Sequence, residues 1–399
     1  MNDQKNTILA IVLSALVLIA WQYFVGLPQM EKQKQEAALK QQQQQVQQPA
    51  QPGPPGTPAQ PWQPGPPGQA VPQAQPGPGQ PVPQVQPGAP AVPGQPPVPG
   101  QQFNRDAVLA TSPRIGVETP RLKGSIALKG GRIDDLALTQ YRETVDPKSP
   151  AIILLSPSGT PHPLYAEFGW TSAAGATIKL PGPDTMWTQQ GSGALGVGRP
   201  VTLTFNNGEG LEFRRVISVD DKYLFTIEDQ VANKSAAPAT LYPYALISRH
   251  CTPELTGFYI LHEGPIGVLE DKLREESYSD LEKKKIFSYK SANAWLGFTD
   301  KYWAAALIPD PKTTVQAKFS GGQLGTLKTY QADYYNAEPL TVAPGATTTT
   351  STRLFAGAKK VSVVDAYEQQ YKLDRFDKII DWGYFYFITK PIFVAIDWL

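Results

Sequence analysis

Residues 201–227, VTLTFNNGEGLEFRRVISVDDKYLFTI, show most clearly the pattern that predicts the fold of this chain. Apolar residues alternate with threonines over 201–205, the polar run NNGEG follows, and further apolar runs occupy 213–219 and 223–227, separated by DDK. Alternation with a period of two places one side of each run in a core and the other in solvent, as in β-strands. Three such runs joined by short polar turns predict an antiparallel meander.

Outward from this meander, the same pattern fills most of the chain between residues 103 and 353. Short apolar runs are separated by Gly, Pro, Asn and Asp, and no long stretch of helical periodicity occurs before Val361. Many strands without interleaved helices predict antiparallel sheets packed face to face. We therefore expect a mainly β fold, a large antiparallel β-sandwich, with strand runs at 122–128, 133–138, 152–155, 241–247, 295–299, 302–307 and 347–355.

Two segments depart from the strand pattern. Residues 270–285, EDKLREESYSDLEKKK, are highly charged and have few apolar anchors, which predicts a solvated helix or loop. Residues 359–373 show helical spacing, which predicts a helix that closes the domain. The apolar residues along one side of this helix are Val361, Val364, Tyr367 and Tyr371.

The N-terminal run ILAIVLSALVLIAWQYF, residues 8–24, carries no charge. With Val25 it reaches about 18 residues, the lower limit for a membrane-spanning helix. No small-residue cleavage site closes it, so an uncleaved anchor with a short helical extension, residues 1–40, is favoured over a signal peptide. Trp21, Tyr23 and Phe24 at its end suit a lipid headgroup belt. The flanking lysines do not establish which side of the membrane holds the N-terminus.

A linker separates this anchor from the strand-rich region. Most of the chain's 40 prolines lie in residues 41–102, together with many of its 34 glycines. Such a segment cannot bury enough apolar surface to fold, and we expect it to be disordered. Its reach is between about 45 Å as a coil and about 190 Å as polyproline II. A flexible spacer is favoured over an SH3-type ligand or a wall-spanning rod, because no positive charges flank the prolines.

The final segment, FDKIIDWGYFYFITKPIFVAIDWL at 376–399, is aromatic but also carries five charged residues and Pro391. Each central charge would cost about 3 kcal/mol in a spanning helix. An amphipathic helix at the membrane interface keeps these charges in contact with water. It is therefore favoured over a spanning helix and over a core helix of the sandwich. The predicted membrane-interface residues are Trp382, Tyr384, Phe385, Phe387, Ile388, Ile392, Phe393 and Trp398, together with Trp21, Tyr23 and Phe24 in the anchor.

Composition argues against several functions. With 36 basic and 35 acidic residues the net charge is +1, so no nucleic-acid partner is expected. The single cysteine, Cys251, permits no intramolecular disulfide, and a small buried hydrophobe is favoured over a reactive thiol. The histidines are His162, His250 and His262, and a general acid–base cluster of the last two with Glu254 and Glu263 is conceivable. Spacing favours structural roles for them, and neither an enzyme nor a metal or cofactor site is predicted.

Three stretches resemble the YidC family of membrane protein insertases. They are VETPRLKGSIALKGGRIDDLALTQY with IILLSPSG and YAEFGW at 117–170, WLGFTDKYWAAALIP at 295–309, and FAGAKKVSVVDAYEQQYKLDRFDKIIDWGYFYFITKPIF at 355–393. The resemblance implies a mutarotase-like β-supersandwich at 103–375 with C-terminal helices, followed by an interfacial helix at 376–399. It also implies a bacterial inner-membrane protein with its N-terminus inside and residues from about 26 onward in the periplasm.

The resemblance further implies partners and a mode of action. Family members insert and fold nascent inner-membrane proteins in the lipid bilayer, alone or with the Sec translocon and its SecD/SecF subunits, and use no cofactor. Their working part is a bundle of five membrane helices around a groove with an arginine. This sequence stops at Leu399, where the next helix is expected, so we do not expect this polypeptide alone to insert proteins. The alternatives are a membrane-tethered carbohydrate-binding or mutarotase-like domain and a structural envelope tether.

Overall fold

The computed structural model describes residues 104–254, 261–383 and 385–398. The predicted anchor at 8–24, including Trp21, Tyr23 and Phe24, and the predicted linker at 41–102 lie outside this part of the chain. No helix in the described ranges combines the length and the apolar character that crossing a bilayer requires.

The first of two antiparallel sheets has ten strands. Eight of them follow the order β1-β2-β3-β5-β10-β17-β16-β13, while β4 pairs with β3 and β18 pairs with β10. Its strands are β1 (Arg114–Glu118), β2 (Leu122–Ala127), β3 (Ile133–Arg142), β4 (Ala151–Leu155), β5 (Leu164–Ser172), β10 (Ala239–His250), β13 (Ile286–Ser291), β16 (Val315–Leu324), β17 (Leu327–Asn336) and β18 (Leu340–Val342).

The second sheet has nine strands in the order β12-β11-β14-β15-β19-β9-β8-β7-β6. Its strands are β6 (Thr188–Gln190), β7 (Val201–Asn206), β8 (Leu211–Val219), β9 (Leu224–Asn233), β11 (Gly264–Leu269), β12 (Lys272–Glu275), β14 (Trp295–Thr299), β15 (Trp303–Pro309) and β19 (Thr347–Ala358). The predicted meander is confirmed, because β7, β8 and β9 are consecutive antiparallel neighbours.

Side chains from both sheets form one continuous apolar core. In β8, residues at odd positions from Leu211 to Val219 are buried and the even ones are half-buried or exposed, so the period-two pattern is realised on this strand. Sheets that each bury one face against the other give the predicted sandwich. The mainly β, antiparallel fold class is thereby confirmed, together with its C-terminal helices.

A fully buried arginine links the two sheets. Arg215 of β8 has no exposed side-chain surface, and its Nε donates to Asp229 Oδ1 of β9 at 2.6 Å. The same guanidinium donates to the backbone oxygens of Phe168 at 2.6 Å and Gly131 at 3.2 Å, on the side of the ten-stranded sheet. Every bond of this group is therefore made to protein, as a buried charge requires.

Four α-helices and one 3-10 helix complete the described chain. They are α1 (Arg105–Leu109), α2 (Tyr278–Lys284), α3 (Val361–Tyr371), the 3-10 helix (Phe376–Ile379) and α4 (Tyr386–Trp398). The predicted closing helix is α3, which buries Val363, Val364 and Tyr367.

The charged segment at 270–285 differs from the expected solvated element. It contains the edge strand β12 and then α2, whose Tyr278 and Leu281 are buried. Ser277 caps α2, since its Oγ accepts from Asp280 N at 3.0 Å. Two apolar anchors three residues apart are enough to seat this short helix on the sandwich.

The tail also differs from a single interfacial helix starting at residue 376. Phe376 and Ile379 of the 3-10 helix are fully buried, and the Phe376 ring lies 5.2 Å from that of Trp295. Trp295 Nε1 donates to Asp374 O at 2.9 Å. Arg375 adopts a left-handed backbone, which turns the chain into this packing site. The first part of the tail therefore belongs to the sandwich, and the helical part starts at Tyr386.

Candidate membrane-interface site

The candidate site is α4, the helix that follows Gly383. Its 13 residues span about 20 Å at 1.5 Å per residue. The hydrocarbon core of a bilayer is about 30 Å thick, so a helix of this length suits the surface of a membrane better than its interior.

The outward side of α4 is an isoleucine stripe, defined as Ile388, Ile392 and Ile396. These three side chains are 47%, 53% and 66% exposed. They are spaced at i, i+4 and i+8, so they lie above one another on one side of the helix. A row of large aliphatic side chains left in solvent by the protein's own packing requires another apolar phase to bury it.

The opposite side of α4 is fastened to the sandwich through Lys390. Its Nζ lies 3.1 Å from Asp365 Oδ1 of α3 and 3.0 Å from Asp377 Oδ2 of the 3-10 helix. Burial alone would lower the pKa of Lys390, but the two carboxylates raise it above its ordinary value. At 100° per residue, position 390 lies about 160–200° from positions 388 and 392. The ion pairs therefore lie on the side of α4 away from Ile388 and Ile392, while Phe387 and Val394, nearer to Lys390, are also 60% and 52% exposed.

Ring contacts support the same orientation. The rings of Trp382 and Phe393 meet edge to face with centroids 5.6 Å apart. Lys378 Nζ lies 3.6 Å from the centroid of the Tyr386 ring. Both contacts hold the inward side of α4 against the segment that precedes it.

Asp381 joins this segment to the end of the sandwich. Its Oδ2 accepts from His262 N at 2.6 Å, and its Oδ1 accepts from Gly383 N at 2.7 Å. Nearby, Lys359 Nζ donates to Thr299 Oγ1 at 2.9 Å. Burial lowers the pKa of Lys359 to about 8, against the opposing effect of the neighbouring carboxylates. The start of α4 is thus held by polar contacts that are largely withdrawn from solvent.

The predicted interface residues differ in how exposed they are. Phe385, Phe387, Ile388, Ile392 and Phe393 are all between 42% and 60% exposed. Trp382 is only half-exposed and packs on Phe393. The side chains of Tyr384 and Trp398 lie outside the described residues.

Sequence analysis missed three exposed members of α4 and the lysine that orients it. Tyr386, Val394 and Ile396 are 50%, 52% and 66% exposed. Extending the i, i+4 spacing from Ile388 and Ile392 would have found Ile396. Lys390 was noted only as a charge, because its partner Asp365 lies 25 residues away in the sequence.

The conceivable acid–base cluster is not assembled. His250 is buried in β10, its Nε2 lies 3.2 Å from Ser248 Oγ, and burial together with Arg132 lowers its pKa to about 4. His262 Nε2 instead contacts Pro265 O at 3.0 Å, and Glu254 is exposed. Within the ranges that the structure describes, no three His, Cys, Asp or Glu side chains are grouped as metal ligands.

Cys251 is half-buried rather than fully buried, and its backbone lies in the left-handed region at φ 68°. Its Sγ lies 3.5 Å from Pro161 O, and burial raises the pKa of the thiol. A raised pKa leaves little thiolate at neutral pH, which argues against a reactive nucleophile.

Fold and site together define a class of protein: a β-sandwich domain that ends in an amphipathic helix with an exposed apolar stripe. A family model described as the YidC periplasmic domain matches residues 114–395. The chain belongs to this family.

Curated relatives match over the whole chain. A protein of Bradyrhizobium diazoefficiens is 52% identical over 406 residues, covering 100% of this chain and 62% of its own length. A protein of Nitrobacter hamburgensis is 54% identical over 407 residues, covering 100% and 61%. Both are named membrane protein insertase YidC, a name that denotes no enzyme. This chain spans about three fifths of the length of these relatives.

Solved structures with a similar outline have much lower identity. A galactose mutarotase related enzyme from Lactobacillus acidophilus is 11% identical with a TM-score of 0.43, covering 61% of this chain and 97% of that one. A galactose mutarotase-like protein from Lactobacillus casei is 10% identical with a TM-score of 0.42, covering 61% and 100%.

Proposed function

We propose that this chain is the periplasmic portion of a membrane protein insertase of the bacterial inner membrane, and that α4 lies in the membrane interface. Family membership and the names of the relatives support the first part. We assign the insertion step to the part of the relatives that lies outside the span matched by this chain. Nascent inner-membrane proteins are then the substrates, while the Sec translocon and SecD/SecF as partners rest on the family resemblance alone.

The isoleucine stripe carries the second part of the proposal. Moving half-exposed isoleucine side chains into an apolar phase is worth about 1 kcal/mol each. Lys390 is paired with Asp365 and Asp377, so lipid contact at the isoleucine stripe leaves this ammonium paired. A helix that keeps Lys390 paired and leaves large apolar side chains exposed suits the membrane interface.

The remaining chain has a role in this arrangement. Residues 1–40 anchor the N-terminus, with Trp21, Tyr23 and Phe24 in the headgroup layer, and residues 41–102 act as a spacer to the sandwich. The sandwich, placed at 103–375 by the sequence, extends to Ile379 because the 3-10 helix is buried in it. The interfacial part of 376–399 is then the helical stretch from Tyr386 onward.

A depth measurement tests the proposal. Ile392→Cys in a Cys251→Ser background, labelled with an environment-sensitive fluorophore, is reconstituted as the full chain in phosphatidylcholine vesicles. We expect emission at short wavelength and strong quenching by lipids brominated on their acyl chains. Val197→Cys is the matched control, because Val197 is similarly exposed at 45% but follows β6, at the opposite edge of the nine-stranded sheet from β11 and β12.

The control label should emit as in water and resist quenching. Identical emission and quenching at positions 392 and 197 would show that α4 does not enter the interface, and the proposal for α4 would fail. In a whole insertase, polar substitution of the isoleucine stripe by glutamine should reduce client insertion, while Val197→Gln should not.

A further inference from the structure

A second exposed aromatic residue lies near the start of α4. Tyr302, in the turn between β14 and β15, is 57% exposed, whereas Trp295 and Phe298 of the same hairpin are buried. The resemblance-bearing stretch at 295–309 is therefore core except at this turn. We define the hairpin tip as Lys301 and Tyr302.

Hydrogen bonds place the hairpin tip beside the segment that leads into α4. Thr299 Oγ1 donates to Ile379 O at 3.2 Å, just before that segment. Lys301 N donates to Glu263 Oε1 at 3.1 Å, and the neighbouring His262 N donates to Asp381. The tip and the start of α4 are thus fixed to the same small region of the sandwich.

A second set of contacts places the tip near the middle of α4. Lys359 N donates to Tyr302 O at 2.9 Å, directly before α3 begins at Val361. Asp365, four residues into α3 and therefore about 6 Å along its axis, pairs with Lys390 of α4. Two independent connections therefore bring the tip and α4 to one end of the domain.

Two lysines are exposed at this end of the domain. They are Lys301 in the hairpin tip and Lys360, directly before α3. The carboxylate of Asp300 instead turns toward the domain, where it forms a bidentate pair with Arg249 at 2.6 Å. Exposed ammonium groups on the outside favour an anionic surface opposite them.

The composition of the tip matches a lipid headgroup layer. Lys301 Nζ lies 5.1 Å from the centroid of the Tyr302 ring, so the ammonium extends past an aromatic side chain. Tyr rings settle at headgroup depth, and lysines extend their ammonium toward phosphates. Leu261, 41% exposed beside His262, adds an aliphatic side chain to the same end.

We propose that the hairpin tip, with Leu261 and Lys360, is a second contact of the domain with the phosphates of the lipid surface. This second proposal rests on the proposed interfacial role of α4. It adds a direct contact between the sandwich and the membrane surface. Two separated contacts restrict how the domain tilts on the membrane more than α4 alone does.

Collision accessibility of nitroxide labels tests this contact. Tyr302→Cys, Ile392→Cys and Val197→Cys, each in the Cys251→Ser background, are labelled in the full chain. They are reconstituted in vesicles of phosphatidylethanolamine and phosphatidylglycerol. Oxygen, enriched in lipid, and a neutral nickel chelate, enriched in water, serve as collision partners. We expect the label at 302 to be shielded from nickel at a depth shallower than that at 392, while the label at 197 remains fully accessible to nickel.

The outcomes separate the two proposals. If 392 reports lipid while 302 is as accessible to nickel as 197, the hairpin-tip contact is wrong and the role of α4 stands. If both report water, both proposals fail. Shielding of 302 from oxygen as well as nickel would indicate a protein contact and overturn the lipid assignment. Lys301→Gln with Lys360→Gln should increase nickel accessibility at 302 but not at 392.

Discussion

At the scale of single residues, Lys390 determines which side of α4 meets the domain. Its two carboxylate partners come from α3 and from the 3-10 helix, so one ammonium joins three helical elements. The isoleucine stripe lies away from this ion pair, and Phe387 beside it is exposed as well. In the proposed membrane contact Lys390 therefore has a positioning role, while the isoleucines supply apolar surface.

His250 predicts a measurable pH dependence of stability. The folded chain keeps its ring neutral because burial, together with Arg132, lowers the pKa to about 4 from 6.5. The unfolded chain takes up a proton near 6.5 and so binds more protons between these two values. The free energy of unfolding should therefore fall as pH drops from 6.5 to 4, by about 3 kcal/mol from this residue.

Urea unfolding of the full chain in mild detergent, followed by tryptophan fluorescence at several pH values, measures this slope. His250→Asn should flatten the pH dependence between 4 and 6.5, whatever its effect at neutral pH. His162→Asn is the control, since His162 is exposed and should leave the slope unchanged. An unaltered slope in His250→Asn would mean that the ring is not held neutral in the native state.

At the scale of elements, the sequence pattern correctly predicted those features that depend only on residues close together in the chain. The strand at 295–299 is β14 with the predicted bounds, because alternation and turn residues are local signals. The segment at 270–285 was predicted as solvated, since its two apolar anchors are outnumbered by charges. The Ser277–Asp280 capping pattern is the local signal that would have predicted the start of α2.

The split of the tail depends on contacts that are distant in sequence. Phe376 packs against Trp295, which lies 81 positions earlier in the chain. The periodicity of the tail carries no information about that partner. Residues 376–398 therefore read as one amphipathic segment, although the structure divides them between the core and the surface. The sequence pattern also does not predict that Tyr302 is exposed within an otherwise buried hairpin, because this exposure depends on contacts that are distant in sequence.

Gly383 predicts how the connection to α4 is built. Its backbone is left-handed at φ 70°, and a Cβ added there meets no atom within 4 Å. Gly383→Ala should therefore cost about 1 kcal/mol through backbone strain alone. Gly175→Ala is a matched control, because Gly175 has φ 85° and equally open surroundings.

Both variants should lower the free energy of unfolding by similar amounts. Only Gly383→Ala should change the position of α4, seen as a shifted or broadened electron–electron distance between nitroxides at Ile392→Cys and Val197→Cys. An unchanged distance distribution would indicate that Lys390 and its partners alone define the orientation of α4.

At the scale of the whole molecule, the two sheets are joined by more than apolar packing. The pairings of β10 with β5 and β17, and of β9 with β19, join strands that are far apart in the sequence. No local pattern specifies them, which explains why the sandwich was predictable as a class but its strand order was not. One feature of the sequence does point to a tertiary contact. Arg215 occupies an inward position in the alternation of β8, and a charged residue there needs a buried partner.

That arginine provides the last prediction. Asp229→Ala leaves the fully buried guanidinium of Arg215 without its counter-charge, although the carbonyls of Phe168 and Gly131 remain. Breaking a buried pair in this way costs about 4 kcal/mol, which urea unfolding should record as a large drop in midpoint. The control is Glu212→Ala, which removes the exposed pair with Lys234 at a similar distance, 2.7 Å against 2.6 Å. Its cost should stay below about 1 kcal/mol.

The double variant Arg215→Met with Asp229→Leu separates charge from packing. Because it removes both ions and leaves apolar volume in their place, it should recover most of the stability that Asp229→Ala loses. If the double variant is as unstable as the single one, the bonds from Arg215 to the two carbonyls of the other sheet, rather than the ion pair, hold the sheets in register. Either result identifies the interaction that keeps the sandwich rigid enough to position α4.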